Sequence, residues 1–228
     1  MKYLFVIYTD SKYKKHLDNF KTQEFYKQLC YVPTVNEPNI EVIEWGADYH
    51  TDYKDLPIKT QQMMKWCSEN KEYDYLIKCD DTIFDDKWSF YRPKLTYENI
   101  FVNGRDGNCY SFTSKTWKLI HRWGFVGEWI ISGIDTNKDY WGIHSLQLEE
   151  RDWEGFVSSH DIKGIDINFI KNDIPFFEGK FYIVSKEFSI FIGGQEKLAK
   201  ELSNNFPVED LMVGYLSNEF KSIRSISK

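Results

Sequence analysis

The chain has 228 residues, is 42% hydrophobic and 18% aromatic, and carries a formal net charge of −6. This length suits one large α/β domain. The acidic balance excludes a protein that coats phosphate backbones, although it permits a local basic cleft for one small anion. The eight Trp and fifteen Tyr indicate either an aromatic core, which is the commoner case, or surfaces on which sugars and bases stack.

Three segments near the N-terminus have the patterns of strands. Residues 3–8 (YLFVIY) and 73–79 (YDYLIKC) are apolar runs bounded by polar residues, as in strands buried on both faces of a parallel sheet. Residues 40–45 (IEVIEW) alternate between apolar and polar side chains. The first run is too short for a signal peptide or a membrane span, so we expect a soluble protein with no integral membrane segment.

Helical patterns lie between these strands. Residues 17–30 place apolar side chains at helical spacing, and residues 57–69 begin with Pro57, which suits the first turn of a helix. The order strand, helix, strand, helix, strand predicts a parallel sheet wound by crossover helices, and hence an α/β fold.

The rest of the chain is less regular. For residues 86–176 we expect antiparallel strands, loops and one helix near 115–122. The later elements that the pattern predicts are a strand over 179–185, helices over 195–205 and 207–220, and a polar tail over 221–228 that frays.

The cysteines show no pattern of a metal site or a disulfide framework. Cys30, Cys67, Cys79 and Cys109 form no CxxC pair and no zinc-finger spacing. We therefore expect buried thiols in a reducing compartment such as the cytoplasm.

Carboxylates follow the third predicted strand directly. In YDYLIKCDDTIFDD (73–86) an apolar run ends at Asp80 and Asp81, and open α/β sheets bind ligands beyond the carboxyl ends of their strands. Adjacent carboxylates repel each other unless a cation lies nearby. Oxygen ligands suit Mg²⁺ or Mn²⁺, typically shared with a substrate diphosphate. The alternative is a solvated turn, in which Asp is common.

A second acidic pair lies near the C-terminus. Glu209 and Asp210 follow Pro207 and precede an apolar helical pattern. One of them could act as a general base that takes a proton from a hydroxyl. The alternative is that one caps the helix.

Four segments then match a family pattern in order along the chain. The matching residues are Asp48, Tyr53, Leu56, Lys59, Thr60 and Trp66 in 48–66; Lys78, Asp80, Asp81 and Phe84 in 75–84; Pro175, Gly179, Tyr182 and Ser185 in 174–188; and Glu209, Asp210 and Gly214 in 206–216. Together these segments resemble the β1,3-glycosyltransferases of family 31, which include β1,3-galactosyltransferases, β1,3-N-acetylglucosaminyltransferases and Fringe.

The resemblance implies a single GT-A domain over residues 1–228. Residues 1–90 would form a Rossmann-like nucleotide-sugar-binding half, with a mostly parallel sheet flanked by helices, and residues 91–220 a mixed acceptor-binding and catalytic half. It also implies an inverting hexosyltransferase that moves a sugar from a nucleotide-sugar donor, a UDP-sugar, to a glycan hydroxyl. From the acidic charge balance we expect no nucleic-acid partner.

The resemblance also implies roles for particular residues. Asp80, Asp81 and Thr82, which stands where the family has a third acid, would hold Mn²⁺ or Mg²⁺ on the diphosphate. Asp210 would act as the base, and Glu209 would orient it. The residues expected to bind the donor are Thr9, Asp10, Lys59, Lys78, Asp80 and Gly179, with a plain salt bridge as the alternative role for each lysine.

The chain departs from the family in three respects. Thr82 replaces an acid that usually ligates the metal. No His follows the Glu-Asp motif, so His144 or His160 could substitute only if the fold brings it back. Family members usually carry an N-terminal Golgi anchor, whereas this sequence points to a soluble cytoplasmic protein, viral or microbial, or to one domain of a larger chain.

Two other functions compete with sugar transfer. A sugar nucleotidyltransferase would need a Gly-rich basic loop after the first strand, and YTDSKYKK (8–15) has Lys but no Gly. A catalytically inactive, carbohydrate-binding pseudo-transferase is consistent with Thr82 and with the abundance of Trp.

Overall fold

A computed structural model describes residues 2–22, 26, 39–82, 139–144, 177–205 and 208–226. The chain divides into two compact units. The first, here the sheet unit, comprises Met1–His50, Glu72–His144 and Gly179–Lys186. The second, here the helical unit, comprises Thr51–Lys71, Ser145–Glu178 and Glu187–Lys228.

The described strands form one five-stranded sheet in the order β2-β1-β3-β5-β4. Strand β1 pairs in parallel with both β2 and β3, whereas β5 pairs antiparallel with β3. The predicted α/β class with a largely parallel sheet is therefore confirmed. The strands are β1 (Lys2–Tyr8), β2 (Asn39–Trp45), β3 (Tyr75–Asp80), β4 (Tyr140–His144) and β5 (Phe177–Ser185).

The two continuous apolar runs form the centre of this sheet, as predicted. Every residue from Tyr3 to Tyr8 in β1 is buried, and so is every residue of β3 up to Cys79. Phe5, Ile77 and Ile183 stand opposite one another on three neighbouring strands and are all fully buried. Burial on both faces explains why these strands do not alternate with polar side chains.

The first helix, α1 (Lys14–Thr22), begins earlier than the predicted 17–30. A short 3₁₀ turn, Ser11–Tyr13, leads into it, and the Asp10 side chain accepts a hydrogen bond from the Lys12 backbone N–H at 2.9 Å. An aspartate in extended conformation before a helical turn satisfies a backbone donor that otherwise lacks a partner. Leu17 and Phe20 then supply the buried face of α1.

Three of the four helices described next lie close to segments that were predicted to be helical. The four are α2 (Leu56–Asn70), α3 (Lys186–Gly193), α4 (Glu196–Asn205) and α5 (Glu209–Ile226). Pro57 occupies the first turn of α2, where its missing N–H costs nothing. Helix α4 packs against α2. Helix α3 was not predicted, because its eight residues, KEFSIFIG, also fit a strand.

A glycine permits close approach between α3 and α2. A Cβ atom on Gly193 would lie 2.8 Å from the Lys65 Cα and 2.9 Å from the Lys65 N, closer than side chains tolerate. The Gln61 side chain donates to the Gly193 carbonyl at 2.5 Å, and this bond satisfies one of the carbonyls left over at a helix end.

The prediction that residues 221–228 fray is wrong as far as Ile226, because α5 continues to that residue. The Phe220 ring packs against the rings of Phe188 and Phe191, each with centroids 5.3 Å apart. One turn further, the Arg224 side chain pairs with Glu187. These contacts with α3 extend a helix whose own sequence is polar.

Some expectations concern residues outside the described ranges. The helix near 115–122, Cys30, Cys109 and His160 belong to these. Of the other cysteines, Cys67 and Cys79 are free and buried, as predicted. Within the part of the chain that the structure describes, no helix is both long and apolar enough to cross a bilayer.

Candidate functional site

The strand order of the sheet reverses between β1 and β3. The chain passes from β1 to β2 on one side of β1 and returns to β3 on its other side, and all three strands run in the same direction. In open α/β sheets the carboxyl ends of two such strands are where ligands bind. The residues at this place, here called the strand-end cluster, are Thr9, Asp10, Lys78, Asp80 and Asp81.

A hydrogen bond joins the two strand ends. The hydroxyl of Thr9, which is 3% exposed, donates to Asp81 Oδ2 at 2.6 Å. The backbone continues the pairing, since the Asp81 N–H donates to the Tyr8 carbonyl at 3.2 Å. Asp81 therefore stands at the reversal point with its carboxylate oriented by β1. A hydroxyl that donates to a carboxylate stabilises its charged form.

Lys78 is an interior cation beside the first aspartate. Its side chain is almost fully buried, and its Nζ lies 2.7 Å from Asp80 Oδ1. The Nζ also donates to the Gly179 carbonyl. The Asp80 Oδ1 atom is buried and its contact with Lys78 lacks the angles of a hydrogen bond, so the pair is held by charge.

Two tyrosine rings complete the surroundings of Lys78. Its Nζ lies 4.3 Å from the centroid of the Tyr8 ring and 5.5 Å from that of Tyr182. The strand register explains this grouping, because Lys78 is opposite Tyr182 on β5 and Asp80 is opposite Tyr8 on β1. Side chains two residues apart share a face of the sheet, so all four lie on one face.

Asp10, which lies after the end of β1, pairs with a histidine that the sequence analysis missed. The His50 Nδ1 lies 2.9 Å from Asp10 Oδ1, and the imidazole is 39% exposed. The loop after β2 is tied to the loop after β1, because the Ser11 N–H donates to the Tyr49 carbonyl at 3.1 Å. Its position in the sequence could have indicated it, because His50 lies shortly after the end of β2, which is a parallel strand. An imidazole oriented by a carboxylate is suited to proton transfer.

A tyrosine and a cysteine near the strand-end cluster have raised pKa values. Burial, assisted by the charge of Asp10, raises the pKa of Tyr49 to about 12. Burial, assisted by the charge of Asp80, raises the pKa of the Cys79 thiol well above its usual value. The Cys79 thiol therefore stays protonated at neutral pH and is unsuited to nucleophilic chemistry.

The strand-end acids do not suit a metal site made of protein side chains alone, but they suit one that substrate phosphates complete. Within the described ranges, no three His, Cys, Asp or Glu side chains form a group that could hold a metal by themselves. Mg²⁺ and Mn²⁺ are, however, commonly held by one or two carboxylates together with substrate phosphates. Asp81, oriented by Thr9, suits that role, whereas Asp80 already faces the Lys78 ammonium. Thr82 follows them and is partly exposed.

The second acidic pair belongs to the helical unit. Glu209 and Asp210 form the first turn of α5, and the Asp210 Oδ1 accepts the Leu211 N–H at 3.0 Å. Glu209 is buried, whereas Asp210 is partly exposed. Carboxylates at this position stabilise a helix N-terminus. This geometry agrees with the capping role that the sequence left open.

The predicted site residues thus fall into two groups. The sheet unit contains Thr9, Asp10, Lys78, Asp80, Asp81, Thr82 and Gly179, and the helical unit contains Lys59, Glu209 and Asp210. Lys59 is buried in α2. His144 ends β4. That Asp80, Asp81 and Asp210 meet across one cleft stays a prediction.

Comparison with known proteins adds no family to this description. No protein-family model matches the chain, and no curated protein matches it either.

Proposed function

We propose that this protein is a metal-assisted glycosyltransferase of GT-A type, which moves a sugar from a UDP-sugar to a glycan hydroxyl with inversion. The single observation that carries the proposal is the pair of acids at the reversal between β1 and β3, with Asp81 held by Thr9 at 2.6 Å. The family 31 resemblance of the motifs supports the same function. The three parallel strands β1, β2 and β3, followed by the antiparallel strand β5, are compatible with the GT-A fold.

The sheet unit has the donor-binding role in this proposal. Asp10, after the end of β1, would contact the nucleoside, and Asp81 would hold Mn²⁺ or Mg²⁺ on the diphosphate. Thr9 is 3% exposed, so it acts by orienting Asp81. The ion would supply positive charge to the leaving diphosphate. Lys78 is 1% exposed, so it acts through Asp80 and not by touching the donor.

The helical unit has the acceptor-activating role. The Asp210 carboxylate takes the proton of the acceptor hydroxyl as that oxygen attacks the anomeric carbon from the face opposite the leaving group. The bond between the anomeric carbon and the diphosphate oxygen breaks, and UDP leaves with the electron pair. Glu209, buried beside Asp210 at the start of α5, orients it.

The test is turnover of nucleotide sugars. The protein is incubated with Mn²⁺ and a panel of nucleotide sugars, and released UDP is measured with and without glycan acceptors. We expect UDP release with at least one donor, stimulated by an acceptor and lost in Asp81→Asn. Absence of turnover with every donor, in the presence of Mn²⁺ and acceptor glycans, would contradict the proposal.

One observation favours a second candidate, a carbohydrate-binding protein without transferase activity. Asp80 pairs with Lys78 and Asp81 accepts from Thr9, so both acids have partners within the protein. Glycan arrays or calorimetry would show that such a protein binds glycans, and its affinity would be the same with a chelator as with Mn²⁺. It would release no UDP.

A further inference from the structure

We propose that the start of α1 is a docking surface for an acidic polysaccharide, a chain of sugars that carries carboxylates or sulfates. The surface, here called the lysine patch, consists of Lys12, Tyr13, Lys14 and Lys15. It lies outside the residues to which sugar transfer is assigned above. It rests on the proposed function only in the choice of a glycan as the partner.

Positive charge is concentrated in the lysine patch. Three of its four residues are cations, in a chain whose formal net charge is −6, and all four are exposed. Lys21, in the last turn of the same helix, pairs with Glu44 at 2.5 Å. Within the ranges that the structure describes, the three lysines of the patch have no such acidic partner. Their charge is therefore available to an anionic ligand in solvent.

The lysines of the patch are unfavourable for the helix that they begin. Lys14 and Lys15 lie in the first turn of α1, which contains no acid, whereas the first turns of α3, α4 and α5 all contain acids. A helix N-terminus carries partial positive charge, which opposes cations and adds to their attraction for an anion. Arrangements that work against folding are expected at functional sites, where a ligand makes use of them.

The turn that carries the patch is fixed in position. The Tyr13 N–H donates to the Asp10 carbonyl and the Lys12 N–H donates to the Asp10 side chain, each at 2.9 Å. The bond from the Ser11 N–H to the Tyr49 carbonyl, at 3.1 Å, ties the turn to the loop after β2. The backbone of the patch is thus ordered before a ligand binds, which reduces the entropy that binding costs.

The aromatic ring in the patch favours a sugar as the partner. Tyr13 is 43% exposed, and the Lys12 Nζ lies 5.4 Å from the centroid of its ring. A tyrosine ring can pack against the apolar face of a sugar while neighbouring ammonium groups pair with the carboxylate or sulfate of that sugar. The patch therefore offers both kinds of contact that an acidic sugar needs.

The charge of the whole chain favours a thin polymer over a bilayer. At physiological salt a charge acts over about 8 Å, so a single polysaccharide chain is influenced mainly by the patch. A flat anionic membrane would face more of the acidic protein. The apolar side chains of α1, Leu17 and Phe20, are buried and do not insert into lipid. The acidic balance also argues against nucleic acid.

The experiment measures the binding of the full chain to fluorescein-labelled oligogalacturonate and to labelled heparin by fluorescence anisotropy, without nucleotide sugar or Mn²⁺. A maltooligosaccharide of the same length is the neutral control ligand. We expect saturable binding of at least one anionic ligand, weakening as NaCl is raised, and no binding of the neutral one. Oligogalacturonate carries carboxylates alone, so a preference for heparin would identify sulfate as the group that is bound.

The first variant removes the charge of the patch. Lys12→Gln/Lys14→Gln/Lys15→Gln should weaken binding of the anionic ligand by at least about 30-fold. Its Tm should stay the same or rise, because the variant removes cations from a helix N-terminus. A lower Tm would show that the lysines support the fold, and it would overturn the inference.

The matched control removes three exposed lysines of the helical unit. Lys54→Gln/Lys197→Gln/Lys221→Gln changes the net charge by the same amount, and it should weaken binding by less than about threefold. Equal weakening by the two triple variants would show that net charge alone matters, which also overturns the inference.

A third variant tests the ring. Tyr13→Ala should weaken binding by about 3- to 10-fold without changing the dependence of binding on salt, because the ring carries no charge. Tyr13→Phe should bind within about twofold of the wild type, since it keeps the stacking surface. An unchanged affinity in Tyr13→Ala would contradict the choice of a sugar.

The remaining outcomes separate this inference from sugar transfer and from a membrane role. Vesicles of equimolar phosphatidylserine and phosphatidylcholine should not bind, and patch-dependent binding to them without glycan binding would overturn the inference in favour of a bilayer. If the wild type binds neither anionic ligand yet releases UDP from a nucleotide sugar, the inference fails and the proposed function stands. Binding that the patch variant loses supports the inference even if no donor is turned over.

Discussion

The strand-end cluster and the start of α5 each present a pair of adjacent acids, yet they hold them in different ways. At the strand end, Asp80 and Asp81 face side chains that come from β3 and from β1, Lys78 and Thr9. At the start of α5, the Asp210 carboxylate accepts the backbone N–H of its own neighbour, Leu211. Asp81 thus has a partner from a distant segment, whereas the contact of Asp80 with Lys78 and that of Asp210 with Leu211 each join residues close together in the chain.

This difference bears on function. The hydrogen bond from Thr9 orients the Asp81 carboxylate, which suits the binding of a donor with a diphosphate. Asp210, in the first turn of α5, is partly exposed, which suits the removal of a proton from an acceptor hydroxyl in the proposed transfer. The predictions below test whether the two pairs have these separate roles.

The largest expected effect is that of Asp210→Asn. If Asp210 is the base, kcat for sugar transfer falls by about 10³-fold, because general-base catalysis contributes that order of magnitude, while donor affinity stays within about twofold. Kinetics with varied donor and calorimetry with UDP measure the two quantities. Glu196→Gln is the control, since Glu196 is also a first-turn acid, in α4, and its partner is Lys200. Loss of donor affinity in Asp210→Asn would assign this residue to the donor instead.

The next effect concerns the bond that joins the two strand ends. Thr9→Val removes the donor of Asp81, and we expect the free energy of unfolding to fall by about 1–3 kcal/mol, as for other hydrogen bonds to charged groups. UDP affinity in Mn²⁺ should fall as well. Thr9→Ser keeps the hydroxyl and should retain both properties. If Thr9→Val and Thr9→Ser have the same stability and the same UDP affinity, the hydroxyl of Thr9 does not orient Asp81.

A third prediction tests the packing within the helical unit. Gly193→Ala places a Cβ within 2.8 Å of the Lys65 backbone, and we expect it to lower the free energy of unfolding by about 1–3 kcal/mol. Gly194→Ala is the matched control, because its Cβ would meet the Phe191 carbonyl at an ordinary 3.5 Å. Denaturant unfolding compares the two. Equal stability of both variants would show that α2 and α3 move apart at low cost.

A smaller effect concerns alkaline pH and the sheet unit. Burial raises the pKa of Tyr3 to about 12 from an ordinary value of 10.0. The folded state then keeps a proton that the unfolded state loses above pH 10. The contribution of Tyr3 to stability is therefore complete below pH 10 and is lost as pH rises through about 12. Denaturant unfolding between pH 9 and pH 12 should show a steeper fall for the wild type than for Tyr3→Phe. Parallel curves would show that Tyr3 titrates normally.

The smallest expected effect is that of His50→Asn. The imidazole is held by Asp10 at 2.9 Å but has no part in the proposed transfer, so kcat should change by less than about twofold. A fall of about 10²-fold or more would instead make His50 the general base, because that is the size of effect such a group has. The roles of the two acidic pairs would then have to be reassigned.

Much of the fold follows from local patterns. The buried strands appear at 2–8 and 75–80 where continuous apolar runs predicted 3–8 and 73–79, and α2 begins with Pro57 in its first turn. The helices α4 and α5 also begin within two residues of their predicted starts. Such signals are local, because burial on two faces, proline geometry and acidic first turns depend on neighbouring residues alone.

Other features depend on contacts between distant segments. Helix α3 and the last turns of α5 were not predicted, and both involve the packing of Phe220 against Phe188 and Phe191. His50 was not predicted either, because its partner, Asp10, is 40 positions away. No periodicity within one segment carries information about such pairs.

By itself the sequence determined where the buried strands lie, that they form an α/β sheet, and that Asp80 and Asp81 stand at a strand end. Only the tertiary structure decided what Asp81 faces and which rings surround Lys78. The parallel register of β1 with β3 brings Thr9 to Asp81, and the antiparallel register of β5 brings Tyr182 opposite Lys78. The physical reason is that the alternation of buried side chains is a local property, whereas the partner of a charge is set by which strands pair and in which direction.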